Sequence, residues 1–184
     1  AGWSYSGFNP DNKMQRNANV GGFGSSLGCL EMDNYSGGVN IEGQKDYFIS
    51  PRIDLGTQAT KLIFSVAYAR YDNSTNDTLK VLISTNCGSS WTTIYNKAGS
   101  TLATAPNSNP VFTPSPSQWR SDTVSLAAYA GQSDVLFMFM SISDFGNNTF
   151  IDDIQIPAAP TSTAQNFVSA ELNVYPNPGD GNFT

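Results

Sequence analysis

The 184-residue chain has 13% charged residues, a net charge of −6 and no histidine. Nine scattered Lys and Arg residues exclude the basic stripe that a nucleic-acid backbone requires. The missing histidine excludes Ser-His-Asp and Cys-His catalysis, and two cysteines alone disfavour zinc.

The length suits one domain with a real core plus a tail. Abundant Ser, Thr, Asn and Gly favour short strands joined by polar turns over amphipathic helices. No run of about 20 apolar residues is present, so no membrane-spanning helix is expected. The chain opens at Ala1-Gly2-Trp3 without a basic-then-apolar leader. A signal peptide is therefore expected to have been removed, or the chain to be a segment of a longer precursor.

Residues 1–45 are turn-rich, with Asn9-Pro10-Asp11-Asn12, Gly21-Gly22-Phe23-Gly24 and Asp33-Asn34-Tyr35-Ser36-Gly37-Gly38 as loop signatures. The glycines at 21, 22 and 24 lack the pattern of a phosphate cradle. Residues 29–32 form a candidate short strand, and Tyr47-Phe48-Ile49-Ser50 a second, closed by Pro51. In 61–69, Leu62, Phe64, Val66 and Tyr68 alternate with Ile63, Ser65 and Ala67, as a strand requires. Another strand is expected over 78–84, joined to it by the turn 72–76, and one over 91–95. Strands so close in sequence are expected to pair as antiparallel hairpins.

Residues 98–118 hold Pro106, Pro110, Pro114 and Pro116; a connection of this length is functional or crosses between sheets. Strands follow over 123–126, 134–141 and 149–156. Seven or eight short strands with a late crossover predict an all-β fold, an antiparallel two-sheet jelly-roll sandwich over 1–157. Residues 158–170 read as a proline-flanked linker. Residues 171–184 start a new strand-and-turn unit, expected to be disordered or docked on a neighbour.

The last strand carries an anomaly. Strict alternation puts Phe150, Ile154 and Ile156 on one buried face, with Asp152 among them and Asp153 on the other side. A carboxylate among core positions costs several kcal/mol unless paired, hydrogen-bonded or metal-bound. Two readings stand: a structural aspartate satisfying loop amides, or an oxygen-ligand cation site of the kind Ca²⁺ takes. Cys29 and Cys87 are expected to form a disulfide in an exported protein, adding about 4 kcal/mol through loop closure.

Loop aromatics supply faces for sugar rings and amides supply hydroxyl partners. Tyr5, Phe23, Tyr35, Tyr71 and Phe145 are the candidate ligand-binding residues, each weighed against a role packing under its own loop. Trp91 and Trp119 are expected in the core. Glu31-Met32-Asp33 resembles part of a Glu-x-Asp-x-x-Glu strand motif of some β-sandwich glycosidases. Position 36 is Ser, so the second carboxylate that glycoside hydrolysis needs is missing, and no enzyme is expected.

Two resemblances extend this reading. Val174-Tyr175-Pro176-Asn177-Pro178 and the following glycine-rich turn resemble the opening of the C-terminal sorting domain of Bacteroidetes type IX secretion cargo. Residues 1–156 resemble the cleaved-adhesin and choice-of-anchor J jelly rolls, which are related to MAM domains. The matching motifs begin with Gly2-Trp3, Asn9-Pro10-Asp11, Met32-Asp33-Asn34-Tyr35, Asp46-Tyr47-Phe48-Ile49-Ser50-Pro51 and Ile53-Asp54-Leu55. Ser84-Thr85-Asn86-Cys87-Gly88, Gln118-Trp119-Arg120 and Ile151-Asp152-Asp153-Ile154 complete the ordered set.

The resemblance implies a non-catalytic module of a larger secreted or surface protein that crosses the outer membrane, with structural Ca²⁺. It makes Asp11, Asp46 and one of Asp152 or Asp153 the candidate metal ligands. The family's more acidic opening is reduced here to Asn9-Pro10-Asp11-Asn12. Asp77-Thr78-Leu79 and Asp122-Thr123-Val124 match the Asp-Ser/Thr-aliphatic pattern for O-glycosylation of exported Bacteroidetes proteins, making Thr78 and Thr123 candidate sites. Sequons at Asn34, Asn73, Asn76 and Asn147 matter only in a eukaryotic host. The expected function is adhesion or substrate binding, with a glycan or extracellular protein as ligand and the parent's other domains as partners. The alternative is a structural accessory domain of a secreted protease, without a ligand of its own.

Overall fold

Alternation in the central strand shows how the sandwich is built. In Lys61–Tyr68, the residues Leu62, Phe64, Val66 and Tyr68 are fully buried in the main core, while Ala67 faces a second apolar cluster on the opposite side. This is a computed structural model of the chain, and it describes residues 14–22, 26–35, 38–57 and 61–157.

Nine strands are present among the described residues: β1 (Met14–Asn17), β2 (Cys29–Met32), β3 (Lys45–Ile49), β4 (Lys61–Tyr68), β5 (Thr78–Ser84), β6 (Thr92–Ala98), β7 (Arg120–Ser125), β8 (Leu136–Ile142) and β9 (Thr149–Gln155). They form two antiparallel sheets, in the orders β1-β2-β9-β4-β7 and β3-β8-β5-β6. A single helical turn, Gly99–Leu102, follows β6. The all-β two-sheet sandwich agrees with the composition and turn spacing.

The main core lies between the sheets. Phe48 stacks on Phe139 at 4.9 Å, and Phe64 meets Phe139 and Tyr95 edge-on at 5.3 and 5.1 Å, the arrangements aromatic quadrupoles favour. The second cluster covers the outer face of the five-stranded sheet, where Phe112 and Trp119 pack with Phe150, Cys29 and Val20. The proline-rich connection thus crosses from one sheet to the other, as expected, and buries that outer face on the way. Asp122 latches the open edge. It accepts Tyr95 Oη at 2.6 Å, Lys97 Nζ at 3.0 Å and Arg120 Nε at 2.9 Å, joining β6 of one sheet to β7 of the other.

Several local expectations need correction. β1 falls inside the stretch read as turns, because only Met14 of its four residues is buried and a polar edge strand has no apolar rhythm. β4 and β5 belong to different sheets, so the 72–76 turn crosses the sandwich instead of closing a hairpin. β5 and β6 do pair, as do β1 and β2.

The face assignment in β9 is also overturned. Its register against β4 steps from Ser65↔Asp152 to Ile63↔Gln155, which inserts one extra residue, and Asp153 sits there at φ 53°. Such a bulge reverses the side-chain phase. Ile151, Ile154 and Ile156 therefore pack with the main core, while Phe150 joins the outer cluster. Asp152 is on the outer side, half-buried close to Gly22 and Cys29.

The expected disulfide is absent, since both thiols are free. Cys29 is buried under the outer cluster of the five-stranded sheet. Cys87 is exposed in the turn after β5 of the other sheet. Burial, with help from Asp152 and Glu31, pushes the Cys29 thiol up to about 12, which leaves it inert at neutral pH.

Candidate functional site

The site is built at one end of the sandwich, where the β4–β5 and β8–β9 connections meet the chain leaving β2. On the β4–β5 connection, Asp72 Oδ1 accepts Ser74 N at 2.7 Å, Ser74 Oγ at 2.6 Å and Thr75 N at 3.1 Å. An aspartate that binds the backbone two residues ahead fixes a turn without help from neighbours. These bonds, led by the Ser74 hydroxyl, hold the Asp72 carboxyl below its usual range. Arg70 closes the loop from behind, donating to the carbonyls of Thr75 and Asn73 and to Asn76 Oδ1.

The β8–β9 connection is organised by Asp77, a fully buried carboxylate. Asp77 accepts Asp144 N at 2.7 Å, Gly146 N at 3.3 Å, Asn147 N at 2.8 Å and Tyr68 Oη at 2.9 Å. Burial pushes its pKa up against the pull of these donors, and the same burial raises the Tyr68 phenol. Gly146 is required here because a Cβ would overlap the Asp77 carboxylate. Phe145 is held at φ 55° and remains 42% exposed. A bulky side chain in that region is uncommon and persists only where its surroundings impose it.

Asn147 and Asn148 knit the end together. Asn147 accepts Phe112 N at 2.7 Å and donates to Ser108 O at 2.8 Å, on the long connection. Asn148 accepts Tyr35 N at 2.9 Å and donates to Glu31 Oε1 at 2.7 Å. Glu31 also accepts Asn17 Nδ2 at 2.7 Å and Gln15 Nε2 at 3.5 Å, so this buried acid holds loops in place.

These anchors create a cleft of about 350 Å³ walled by Tyr35, Tyr71 and Phe145. The Tyr35 and Tyr71 rings lie 6.2 Å apart, tilted by 41°. Asp72, Ser74 and Thr75 supply the polar side, and Gly38 and Gly146 complete the wall. Three of the five aromatic candidates therefore share one cavity, though they are far apart in the chain. The other two, Tyr5 and Phe23, lie outside the described residues, as does Asp11. Asp72, Ser74 and Thr75 line the cleft without being among the candidates; the sequence shows their turn signature but not what the turn faces.

The remaining candidate metal ligands do not converge. Asp46, on β3, shares the inward face of Phe48 and takes Gln44 Nε2 at 3.2 Å on both oxygens. Asp152 is on the outer side of the other sheet, and exposed Asp153 accepts Gln155 Nε2 at 2.6 Å. Among the described residues no group of three or more Cys, Asp or Glu side chains is placed to hold a metal ion. Thr78 is half-buried and Thr123 exposed. The aspartates preceding them, Asp77 and Asp122, are buried structural acids. Trp119 is buried, whereas Trp91 is only half-buried.

No family model matches the chain, and no curated protein matches it. Solved structures do. The chain is similar to the K1 cleaved adhesin domain of Lys-gingipain from Porphyromonas gingivalis W83, at 19% identity and a TM-score of 0.59 over 85% of this chain and 90% of that one. The K2 cleaved adhesin domain of Lys-gingipain gives 18% identity and 0.58 over 86% and 90%. A carbohydrate-binding module of Caldicellulosiruptor saccharolyticus, CBM27-1 solved with mannohexaose, gives 12% and 0.53 over 83% and 89%. At these identities the likeness is one of fold: the chain is a jelly-roll β-sandwich of the architecture used by adhesin domains and carbohydrate-binding modules.

Proposed function

We propose that the protein is a non-catalytic extracellular carbohydrate-binding or adhesion module. The observation that carries this reading is the convergence of Tyr35, Tyr71 and Phe145 on one cleft whose loops are held by buried hydrogen bonds. Pre-organised aromatic walls with a few polar groups suit a sugar ring, since loop ordering costs nothing further on binding. Glu31 has both oxygens committed to amides, which supports binding without hydrolysis. Among the described residues no helix is long and apolar enough to cross a membrane.

The same reading extends to a secreted or surface location by the type IX route, resting on the motif in 172–184. Calcium belongs to it as a stabiliser whose further ligands would come from outside the described residues, Asp11 first among them. O-glycosylation falls on exposed Thr123 before Thr78.

The test is binding of the full chain to a glycan and matrix-protein array, with Ca²⁺ and after chelation. A saturable glycan hit that Tyr71→Ala weakens about tenfold, the worth of one aromatic contact, is the expected result. A blank array under both conditions would favour a structural accessory domain instead.

A further inference from the structure

The charge of the cleft is one-sided. Among the described residues that line it, Asp72 carries the one carboxylate, and none is a Lys or Arg. Its Oδ1 is committed to Ser74 and Thr75, while among the described residues none donates to Oδ2. The hydrogen bonds from Ser74, with the charge of nearby Arg70 adding to them, hold this carboxyl below its usual range. Arg70, the cation of the same loop, is turned to the carbonyls of Asn73 and Thr75, and Asp144 adds a second carboxylate behind Phe145, on Asn76 N. Three aromatic rings beside a carboxylate form the setting in which a ligand cation gains from ring quadrupole and charge together.

We infer that the cleft selects glycans bearing a protonated amine, such as unacetylated hexosamines, over their acetylated forms, and rejects glycans bearing uronate or sulfate. Asp72 is the residue that sets this preference. The inference rests on the glycan-binding reading and narrows it to a ligand class. A uronate or sulfate would meet the Asp72 carboxylate on the cleft side, with Arg70 behind the loop and committed to backbone carbonyls, whereas an ammonium would sit between the carboxylate and the ring faces.

The experiment titrates the full chain with three soluble hexamers, of glucosamine, N-acetylglucosamine and galacturonate, by calorimetry at low and moderate salt. The glucosamine hexamer is expected to bind at least fivefold more tightly than the acetylated one at low salt, with no binding of galacturonate. D72N keeps the Oδ1 acceptor for the turn, so a wild-type melting profile is expected with the preference erased. Equal affinity for the amine and acetylated hexamers overturns the inference and leaves the glycan reading intact. Tight glucosamine binding that survives both Asp72→Asn and Tyr71→Ala also overturns it, placing the amine elsewhere on this acidic surface. Binding of none of the three refutes it, and refutes the broader reading as well if the array is blank.

Discussion

Asp77 and Asp152 stand in two regions that treat a carboxylate in opposite ways. At the cleft end, Asp77 is buried with four donors around it, three of them backbone amides of the 144–147 loop. At the β9 bulge, the extra residue carries Asp152 to the outer side of the sheet and leaves Asp153 in solvent. A buried carboxylate is tolerated where the backbone offers converging N–H groups. At the bulge, where Asp152 accepts its neighbour Asp153 N at 2.8 Å, the one-residue shift keeps the carboxylate out of the main core instead. The first region then becomes rigid enough to present Phe145, and the second only tunes strand phase.

The largest effect that tests this contrast is Asp77→Ala. It strands the Tyr68 hydroxyl and the loop amides, and a loss of about 3 kcal/mol is expected in urea unfolding, since unpaired buried donors are expensive. If Asp77→Ala cost no more than Asp152→Ala, the two regions would not differ as described. Next comes Asp122→Asn, which removes the charge that joins Tyr95, Lys97 and Arg120, at about 2 kcal/mol near pH 7.

Asp122 also gives a pH signature. Burial alone would raise its pKa, but hydrogen bonds from Arg120, Tyr95 and Lys97 prevail and hold it low. The stability it contributes is therefore complete above the ordinary aspartate value of about 3.9 and is lost as pH falls through the lower folded value. Unfolding free energy measured from pH 5 to 2 should fall for the wild type, and fall less steeply for Asp122→Asn.

Smaller effects belong to the bulge. Asp152→Ala is expected to cost under about 1 kcal/mol and Asp153→Gly to change stability by less than about 0.5 kcal/mol. A pronounced loss at Asp153 would mean that its side chain, and not only its backbone, holds the bulge. Least of all should stability respond to reductant, because the thiols are unpaired. A thiol reagent should label Cys87 alone in the native protein and both cysteines after unfolding.

Much of the fold is legible in the sequence because it depends on alternation. The rhythm of Leu62, Phe64, Val66 and Tyr68 locates β4 within a residue, and the four prolines of 98–118 mark the crossover. Phase and partnership are less legible. Nothing in Ile151-Asp152-Asp153-Ile154 announces a bulge, because Asp153 adopts a positive φ that asparagine and aspartate tolerate at little cost. Likewise, the turn at 72–76 reads the same whether it closes a hairpin or spans two sheets. The aromatic trio was recoverable because Tyr35, Tyr71 and Phe145 each stand in a polar loop, where an exposed ring needs a reason. Their convergence was not, since it depends on Asp77 and Asn148 bonding across 70 and 113 residues of chain.

The most direct test of the central claim is a two-dimensional NMR titration of the full chain with the best glycan from the array, following aromatic and backbone resonances. The account predicts saturable shifts confined to Tyr35, Tyr71 to Thr75 and Phe145, with the Asp152–Asp153 region still. Shifts centred on the outer face or on β9, with the cleft silent, would contradict it.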